Sequence, residues 1–267
     1  MMKKVIGVLG AGNMGFAIIQ GLIQKGWQDQ ILFLDQSEKR CQWVFEKTGL
    51  HSEKDIKTWV QKADILVFAI KPQQYKEALQ KIQSYISQNQ ILVSIAPGIS
   101  TTTIQDWMGI FIRVVRAMPN TPALIGEGMT ALCFSKGEYT EEEKYTIDTL
   151  FHSLGQVEYL NETVMDAVVP ISGSSPAYVY MMIEAMADAG VLQGLPREKA
   201  YRLAAQAVLG SAKMVLETKK HPGVLKDQVC SPSGTTIEAV RILEKKGFRS
   251  ALIEAMEECY KKTKGFK

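Results

Sequence analysis

The stretch VIGVLGAGNMGFAIIQG, residues 5–21, decides the fold. It opens with an unbroken apolar run as far as Leu9, which is typical of a strand buried on both faces of a sheet. The segment GAGNMG follows with the spacing G-x-G-x-x-G, and a helical pattern of apolar residues follows it. Asp35 stands twenty positions past Gly15, at the end of the next apolar run. Together these features form the fingerprint of a dinucleotide-binding βαβ unit.

Each glycine of this segment has its own physical task. Gly10 permits the tight turn out of the strand, and Gly12 lets a pyrophosphate approach the backbone at the helix N-terminus. Gly15 allows the helix to pack closely on the strand. We therefore expect this loop to hold the phosphates of a dinucleotide.

The chemical form of the dinucleotide stays open from the sequence. The carboxylate of Asp35 suits the ribose diol of NADH and would repel the 2′-phosphate of NADPH. Lys39 and Arg40 follow closely and could reach such a phosphate, although both could equally belong to a solvated helix face. The cofactor is therefore predicted to be NADPH or NADH.

Apolar runs and amphipathic segments alternate through the first 162 residues. Strands that are apolar throughout, separated by helices, predict a parallel sheet covered on both faces. The predicted strands are 4–9, 31–34, 64–70, 91–96, 111–118, 129–135 and a short one near residue 157, and the predicted helices are 13–26, 37–49, 72–86 and 140–153. This alternation is the Rossmann-type doubly wound pattern.

Strands stop after residue 162, and helices that are apolar on more than one face follow. Such helices must be buried, and because this region has little sheet to pack on, a partner subunit is the expected burial site. We therefore predict an α/β fold in two domains. Residues 1–162 form a dinucleotide-binding domain with a Rossmann-type doubly wound sheet, and residues 163–267 form an all-α dimerisation and substrate-binding domain.

Composition and charge narrow the class of protein. The net charge is +3, from 31 basic and 28 acidic residues, which gives no reason to expect nucleic acid or a membrane as a partner. The four cysteines form no C-x-x-C pair and the three histidines lie far apart in sequence, so no metal site is expected. Glycines interrupt the N-terminal apolar run, which indicates a strand–turn–helix rather than a secretory signal. We expect a cytoplasmic protein with reduced thiols.

A second polar segment, VCSPSGTTIEAV at 229–240, precedes a predicted helix. Thr235 and Glu238 have capping-box spacing, so a helix is expected to begin near Thr235. The backbone N–H groups of Gly234, Thr235 and Thr236 would then face outward at the positive end of the helix dipole, where a carboxylate is stabilised. The alternative is that the two threonines only cap the helix.

The residues favour reduction of a C=N bond over oxidation of an alcohol. The N-terminal region also resembles the 3-hydroxyacid dehydrogenases, a resemblance that implies a lysine early in the long helix after the domain junction. That helix, SSPAYVYMMIEAMADAG at 174–190, has no lysine here. Alcohol oxidation needs a general base, whereas a protonated imine is already electrophilic. Thr236 could form a hydrogen bond with the ring nitrogen of a small cyclic imine.

Stretches spread over the chain are similar to the pyrroline-5-carboxylate reductase family: RAMPNTPA at 116–123, ISGSSPAYVYMMIEAMADAG at 171–190, AAQAVLGSAKMVLE at 204–217 and LKDQVCSPSGTTIEAVRILE at 225–244. With the glycine segment, the resemblance spans nearly the whole chain. It implies NAD(P)H-dependent reduction of 1-pyrroline-5-carboxylate to L-proline, the final step of proline biosynthesis. It also implies a homodimer with interleaved helical domains, which can assemble into a higher homo-oligomer of dimers.

Motif positions carry two sets of contacts over from the family, and Thr236 is the candidate catalytic residue. The residues implied to bind substrate are Glu162, which would lie near the ring nitrogen, Val229, Ser231, Gly234, Thr235 and Thr236. The residues implied to bind cofactor are Gly10, Ala11, Gly12, Asn13, Met14, Gly15, Asp35, Gln36, Ala69, Lys71, Pro72 and Ala96, with Met118 and Asn120 near the nicotinamide.

Two positions depart from the family pattern. The family usually shows two glycines where this chain has Ser233 and Gly234, so a positive φ at the first would strain the serine by about 1 kcal/mol or more. Relatives often have Asn before Val229, where this chain has Gln228, and no contact is assigned to it. Alternatives are a reductase of another small cyclic imino acid, a non-catalytic dinucleotide sensor or scaffold protein and, less favoured, an alcohol dehydrogenase.

Overall fold

The computed structural model describes residues 4–265, and its sheet has seven strands in the order β2-β1-β3-β4-β5-β6-β7 within that range. The strands are β1 Ile6–Leu9, β2 Ile31–Leu34, β3 Ile65–Phe68, β4 Ile91–Ser94, β5 Arg113–Met118, β6 Gly128–Phe134 and β7 Gly155–Tyr159. All seven overlap the predicted strands. Neighbouring strands are parallel except β5 and β6.

The antiparallel pairing of β6 with β5 corrects the prediction of a parallel sheet. Residues 119–127 connect the two strands and contain only a short 3₁₀ helix, Thr121–Ile125. A parallel connection needs about a dozen residues or more, usually with a helix, so this link is too short to return the chain to the same end. The rest of the doubly wound fold is as predicted.

The α-helices in the described part of the chain are α1 Asn13–Gln24, α2 Glu38–Thr48, α3 Ile56–Lys62, α4 Tyr75–Ile82, α5 Thr101–Met108, α6 Glu141–His152, α7 Met165–Val168, α8 Ser175–Leu192, α9 Arg197–Thr218, α10 Pro222–Val229, α11 Thr235–Lys245 and α12 Phe248–Lys264. Four of them, α1, α2, α4 and α6, confirm the helices predicted in the N-terminal half. Ser37, the first residue of the predicted helix 37–49, is the N-cap of α2, because its side chain accepts a hydrogen bond from the Arg40 N–H.

Helices α3 and α5 were not predicted. They have seven and eight residues, too few for a clear helical period. Their N-cap residues were nevertheless visible in the sequence. The Asp55 carboxylate accepts the Thr58 N–H at 2.8 Å, and the Ser100 hydroxyl accepts the Thr103 N–H at 3.0 Å.

Both faces of the sheet are covered, and alternate residues of one strand enter different cores. In β3, Ile65 and Val67 join the cluster that contains residues of α1 and α6, whereas Leu66 and Phe68 join the cluster built with α3, α4 and α5. All four side chains are fully buried. This double burial is the physical reason that the strand is apolar at every position.

The chain forms two compact units. The first contains the described residues up to Ser174 together with those from Cys259. The second spans Ser175–Glu258. The predicted domain division after residue 162 therefore stays a functional prediction, since the compact units divide twelve residues later. Thr163 to Gly173 belong with the sheet because Met165 packs against Ala131 and Cys133 of β6.

Many large apolar side chains of the second unit are exposed in the single chain. They include Tyr180, Met181, Leu192, Leu203, Leu209, Met214, Leu216 and Ile253, with exposed fractions from 49% to 88%. Apolar surface on this scale is typical of a protein interface. Among the described helices none is both long and apolar enough to cross a bilayer.

Glu143 of α6 forms a buried ion pair that joins this helix to β5. Its carboxylate oxygens accept hydrogen bonds from Arg113 Nη1 at 2.7 Å and Nη2 at 2.9 Å, and one also accepts the Thr140 N–H at 2.9 Å. Burial raises the pKa of the Glu143 carboxyl, but the hydrogen bonds from Arg113 and Thr140 outweigh burial and hold the pKa below its ordinary value.

Replacement Glu143→Gln is expected to lower the free energy of unfolding by about 1.5–3 kcal/mol at pH 7, the usual value of a hydrogen bond to a charged group. Because the folded pKa is depressed, the carboxylate stabilises fully above about pH 4.3 and loses its effect as the pH falls through the folded value. Chemical denaturation at a series of pH values measures the difference.

Glu141→Gln, at an exposed ion pair with Lys144 on the same helix, is the control and should change stability little. A difference for Glu143→Gln that does not shrink in acid would contradict this account.

Candidate functional site

The glycine loop between β1 and α1 excludes a side chain at two positions. A Cβ on Gly15 would lie 2.0 Å from the carbonyl oxygen of Gly10, and a Cβ on Gly10 would lie 2.7 Å from that of Ala69. Gly10 also has a φ of +88°, in the left-handed region. Its N–H donates to the Leu34 carbonyl at 2.8 Å and so ties the loop to the end of β2. The loop is therefore packed backbone against backbone.

Gly12 is different, because nothing lies within 4 Å of a Cβ built on it and its φ is an ordinary −60°. It is the N-cap of α1, and no side chain caps the first turn. The first N–H groups of a helix attract anions when no side chain satisfies them. The predicted residue Asn13 is exposed at the first position of this helix, and Met14 is half-buried against the core.

A cavity of about 600 Å³ lies at the carboxyl ends of β1, β2 and β3. Gly10, Asp35, Gln36 and Ile70 are among its lining residues. In open α/β sheets this edge is where ligands bind. The cavity, the open space beside Gly12 and the uncapped end of α1 together fit a bound dinucleotide.

The Asp35 carboxylate is held by two backbone groups. The Ala11 N–H donates to Oδ2 at 2.7 Å, and the Ser37 N–H donates to Oδ1 at 2.8 Å. One contact reaches back to the glycine loop and the other stays at the start of α2. The structure thus brings together Asp35 and Ala11, which the sequence assigned to the same cofactor.

Arg40 contacts the glycine loop from the other side. Its Nε donates to the Ala11 carbonyl, and its Nη2 donates to the Gly12 carbonyl at 3.2 Å. The guanidinium also lies 4.0 Å from the ring centroid of Trp43, a cation–π contact. Lys39, by contrast, is exposed on α2.

The next strand ends contribute less direct contacts. Ala69 lies against Gly10 and Gly15, as the Cβ distances at those glycines require. Lys71 is exposed and Pro72 begins a 3₁₀ helix, while Ala96 is buried in the core on the α3–α5 face of the sheet. No described hydrogen bond joins Lys71, Pro72 or Ala96 to the glycine loop, so their cofactor contacts stay predictions.

Just after β5, the Asn120 side chain forms hydrogen bonds with other residues of the protein. Its Oδ1 accepts the Met129 N–H at 2.9 Å, and its Nδ2 donates to both the carbonyl and the hydroxyl of Ser172 at 3.3 Å. Met118 packs beside Gly173, where a Cβ would lie 2.6 Å from the Met118 methyl carbon. Any contact of these two residues with a nicotinamide therefore comes from a firmly positioned segment.

Glu162 caps helix α5. Its carboxylate accepts the Thr101 N–H at 2.6 Å and the Thr101 hydroxyl at 2.5 Å, and Arg116 Nη1 lies 3.8 Å away. Arg116 is only 4% exposed, and its Nη2 also donates to Asp166 at 2.5 Å. Burial, and then the charge of Glu162, raise the pKa of the nearby Cys133 thiol. The predicted proximity of Glu162 to a ring nitrogen stays untested by these contacts.

Three residues of this charged cluster were not predicted from the sequence: Thr101, Arg116 and Asp166. One signal was available: Arg116 interrupts the otherwise apolar core of the strand RVVRAM, 113–118. A charged residue in a buried strand requires a charged partner. Nothing in the sequence shows that the partners, Glu162 and Asp166, come from 46 and 50 residues further along.

Helix α11 begins at Thr235, as predicted, but its capping differs from the prediction. The N-cap is Gly234, with φ −78° and ψ 171°, and no side chain caps the first turn. Glu238 accepts a hydrogen bond from Arg241 Nε at 2.9 Å instead of closing a capping box with Thr235. The helix start is therefore free of side-chain caps, which is what an anion site requires.

The Gly234 N–H is not available in the way that was predicted. It donates to the Ser231 carbonyl at 3.0 Å, so the predicted anion site depends on the amides of Thr235 and Thr236. A Cβ on Gly234 would lie 2.3 Å from the Ser231 hydroxyl, which explains a glycine here. Val229 is the last residue of α10 and is exposed. Thr235 is exposed and Thr236 half-buried.

Ser233 adopts the left-handed conformation, with φ +57°. The strain expected from a serine at a position where the family usually has glycine is therefore confirmed. A non-glycine residue in this region costs on the order of 1–2 kcal/mol. The turn that leads into α11 keeps this conformation in spite of the cost.

The chain is similar to known proteins along most of its length. A family model described as "Pyrroline-5-carboxylate reductase dimerisation" matches residues 162–266, and one described as "NADP oxidoreductase coenzyme F420-dependent" matches 5–98. The pyrroline-5-carboxylate reductase of Escherichia coli (strain K12) is 47% identical over 98% of both chains.

The chain belongs to the pyrroline-5-carboxylate reductase family.

Solved structures agree with this membership. The pyrroline carboxylate reductase of Plasmodium falciparum with NADP bound has a TM-score of 0.90 at 32% identity, covering 100% of this chain and 99% of that one. The pyrroline-5-carboxylate reductase of Coxiella burnetii also has a TM-score of 0.90 at 32% identity, with 99% of both chains covered. The predicted family and fold class, a Rossmann-type sheet followed by a helical dimerisation region, are confirmed.

Replacement Gly12→Ala is expected to leave the melting temperature nearly unchanged but to weaken NADH and NADPH binding about tenfold or more, equal to 1.4 kcal/mol. The new methyl group would meet no protein atom and would fill the space that a pyrophosphate needs. Calorimetric titration and thermal melting measure the two effects. Gly15→Ala is the matched contrast, because its methyl group meets the Gly10 carbonyl and should lower the melting temperature. Unchanged affinity in a folded Gly12→Ala variant would contradict the phosphate site.

Proposed function

We propose that this chain reduces the C=N bond of 1-pyrroline-5-carboxylate and so forms L-proline, the final step of proline biosynthesis. NADH or NADPH supplies a hydride to the imine carbon, and a proton completes the amine nitrogen. The observation that carries the proposal is the start of α11, a helix N-terminus without a side-chain cap in a segment rich in hydroxyl groups. This end suits the carboxylate of a small imino acid.

The residues at the start of α11 have distinct proposed roles. The N–H groups of Thr235 and Thr236 bind the carboxylate, with Ser231 and Val229 beside it and Gly234 shaping the turn. The Thr236 hydroxyl, at the second helical position, forms a hydrogen bond with the ring nitrogen and is the proposed catalytic group. Such a bond orients the imine and assists its protonation.

Glu162 is proposed to lie near the ring nitrogen of the substrate. Two hydrogen bonds from Thr101 support this role, because they fix the carboxylate in one orientation. A fixed negative charge favours the positive iminium form of the substrate over the neutral imine. Arg116, 3.8 Å away, positions Glu162.

The residues Gly10, Ala11, Gly12, Asn13, Met14 and Gly15 are proposed to hold the pyrophosphate, with Asp35 and Gln36 at the adenosine end. Ala69, Lys71, Pro72 and Ala96 are proposed to line the middle of the cofactor site. Met118 and Asn120 are proposed to support the nicotinamide. The three internal hydrogen bonds of Asn120 support that assignment by making its segment rigid.

We also propose a cytoplasmic homodimer formed through residues 163–267, able to assemble further, with no nucleic-acid or membrane partner. The match to a dimerisation model and the exposed apolar side chains of α8 and α9 support the dimer. Burial of such side chains against a second copy is the usual source of stability for an obligate dimer. Residues 1–162 remain the proposed dinucleotide-binding domain.

The direct test is the absorbance of reduced nicotinamide, followed with purified protein and 1-pyrroline-5-carboxylate. Loss of signal that depends on the imine is the expected result, with L-proline as the product. The six-membered cyclic imino acid and small hydroxy acids with oxidised cofactor are the comparison substrates. Turnover of only one of these would show that it, and not 1-pyrroline-5-carboxylate, is the substrate. Binding of the dinucleotide without any turnover would favour a sensor.

Replacement Thr236→Ala is expected to lower kcat about tenfold or more, since one lost hydrogen bond at a site is worth about 1–3 kcal/mol. Thr236→Ser keeps the hydroxyl and is the control, with a rate close to that of the wild type. Initial rates at saturating cofactor measure both. Wild-type turnover by Thr236→Ala would remove Thr236 from the mechanism.

A further inference from the structure

We infer that this chain prefers NADH to NADPH and that Asp35 is the residue that discriminates between them. The inference rests on the proposed function only in taking a nicotinamide dinucleotide as the cofactor. It goes further because the glycine fingerprint is common to both cofactors. The discrimination must come from charge and space where the 2′ position of the adenosine ribose would lie, at the end of β2.

The first observation is the fixed orientation of the Asp35 carboxylate. Each of its oxygens accepts one backbone N–H, from Ala11 at 2.7 Å and from Ser37 at 2.8 Å. Turning the carboxylate away to admit a 2′-phosphate would break both hydrogen bonds, one of which supports the glycine loop. Each oxygen keeps a second lone pair that can accept a ribose hydroxyl. The orientation of the Asp35 carboxylate therefore suits the two hydroxyl groups of a ribose diol.

The second observation is the charge that surrounds the cavity. Its lining residues include three acidic ones, Asp35, Asp55 and Glu77, and two basic ones, Lys54 and Lys81. Lys81 is already paired with Glu77 at 2.6 Å. Carboxylates thus outnumber cations in the lining, and a phosphate with nearly two negative charges would enter an unfavourable field.

The third observation concerns Arg40, one of the two cations, with Lys39, that the sequence offered as phosphate ligands. It does not line the cavity. Its Nε and Nη2 donate to the carbonyls of Ala11 and Gly12, and its guanidinium stacks on Trp43. Arg40 therefore supports the carbonyl side of the glycine loop. This role would serve NADH and NADPH alike.

The test is equilibrium binding of NADH and NADPH to the full-length protein by titration calorimetry, which does not depend on turnover. The dissociation constant of NADH is expected to be at least about tenfold lower than that of NADPH. Asp35→Asn removes the charge with little change of shape and should shift the ratio of the two dissociation constants toward NADPH by about tenfold or more. The control Glu38→Gln removes a carboxylate from the nearby first turn of α2, outside the cavity lining, and should leave the ratio unchanged.

Two further measurements keep the inference falsifiable. Arg40→Ala should weaken both cofactors by a similar factor, and a loss confined to NADPH would overturn the role given to Arg40 and with it the preference. Wild-type protein should bind AMP more tightly than adenosine 2′,5′-bisphosphate, which tests the pocket even if Asp35→Asn fails to fold. Tighter binding of the bisphosphate would overturn the inference.

The outcomes also separate this inference from the proposed function. Wild-type protein that prefers NADH but leaves the imine unreduced refutes the proposed function and supports the inference. Imine reduction by a protein that binds NADPH equally well or better refutes the inference alone. Binding of neither dinucleotide refutes both.

Discussion

The contact on which the nucleotide end of the structure depends is the packing of α1 against the turn that leaves β1. With the Gly10 carbonyl only 2.0 Å from where a Cβ of residue 15 would stand, helix and turn meet backbone to backbone. Such an approach is possible only for glycine. It brings the uncapped N-terminus of α1 to the carboxyl edge of the sheet, beside β2 and β3. The proposed cofactor contacts all depend on this position of the helix N-terminus.

The neighbouring groups then reinforce the same loop from both sides. Asp35 accepts the Ala11 N–H, and Arg40 donates to the Ala11 and Gly12 carbonyls. One peptide is thus held at its N–H by an anion and at its carbonyl by a cation. Both groups help to hold the loop in shape, but they leave different chemistry exposed: the Asp35 carboxylate lines the cavity and the Arg40 guanidinium does not.

Charged side chains also form a connected cluster at strand β5. Arg116 is buried in β5, and its partners Glu162 and Asp166 come from the segment that follows β7. Glu162 also caps α5 through Thr101, so one carboxylate links a strand, a helix start and the chain leaving the sheet. A buried arginine would be strongly destabilising without such partners. Polar groups needed for folding and groups proposed for the reaction are therefore neighbours here, as they also are around Asn120.

The sequence by itself determined the features that depend on local signals. The glycine spacing predicted the turn, and the pattern of apolar residues predicted the positions of the seven described strands. Ser37 and Thr235 marked helix starts within a residue of their true positions. The similarity of motifs along the chain also identified the family. Tertiary structure alone decided the antiparallel β6, the partners of Arg116, the hydrogen bonds from Thr101 to Glu162 and the hydrogen bond from Ala11 to Asp35. These features depend on which groups meet in space across up to sixty-one residues of sequence, and periodicity or spacing along the chain carries no information about such meetings.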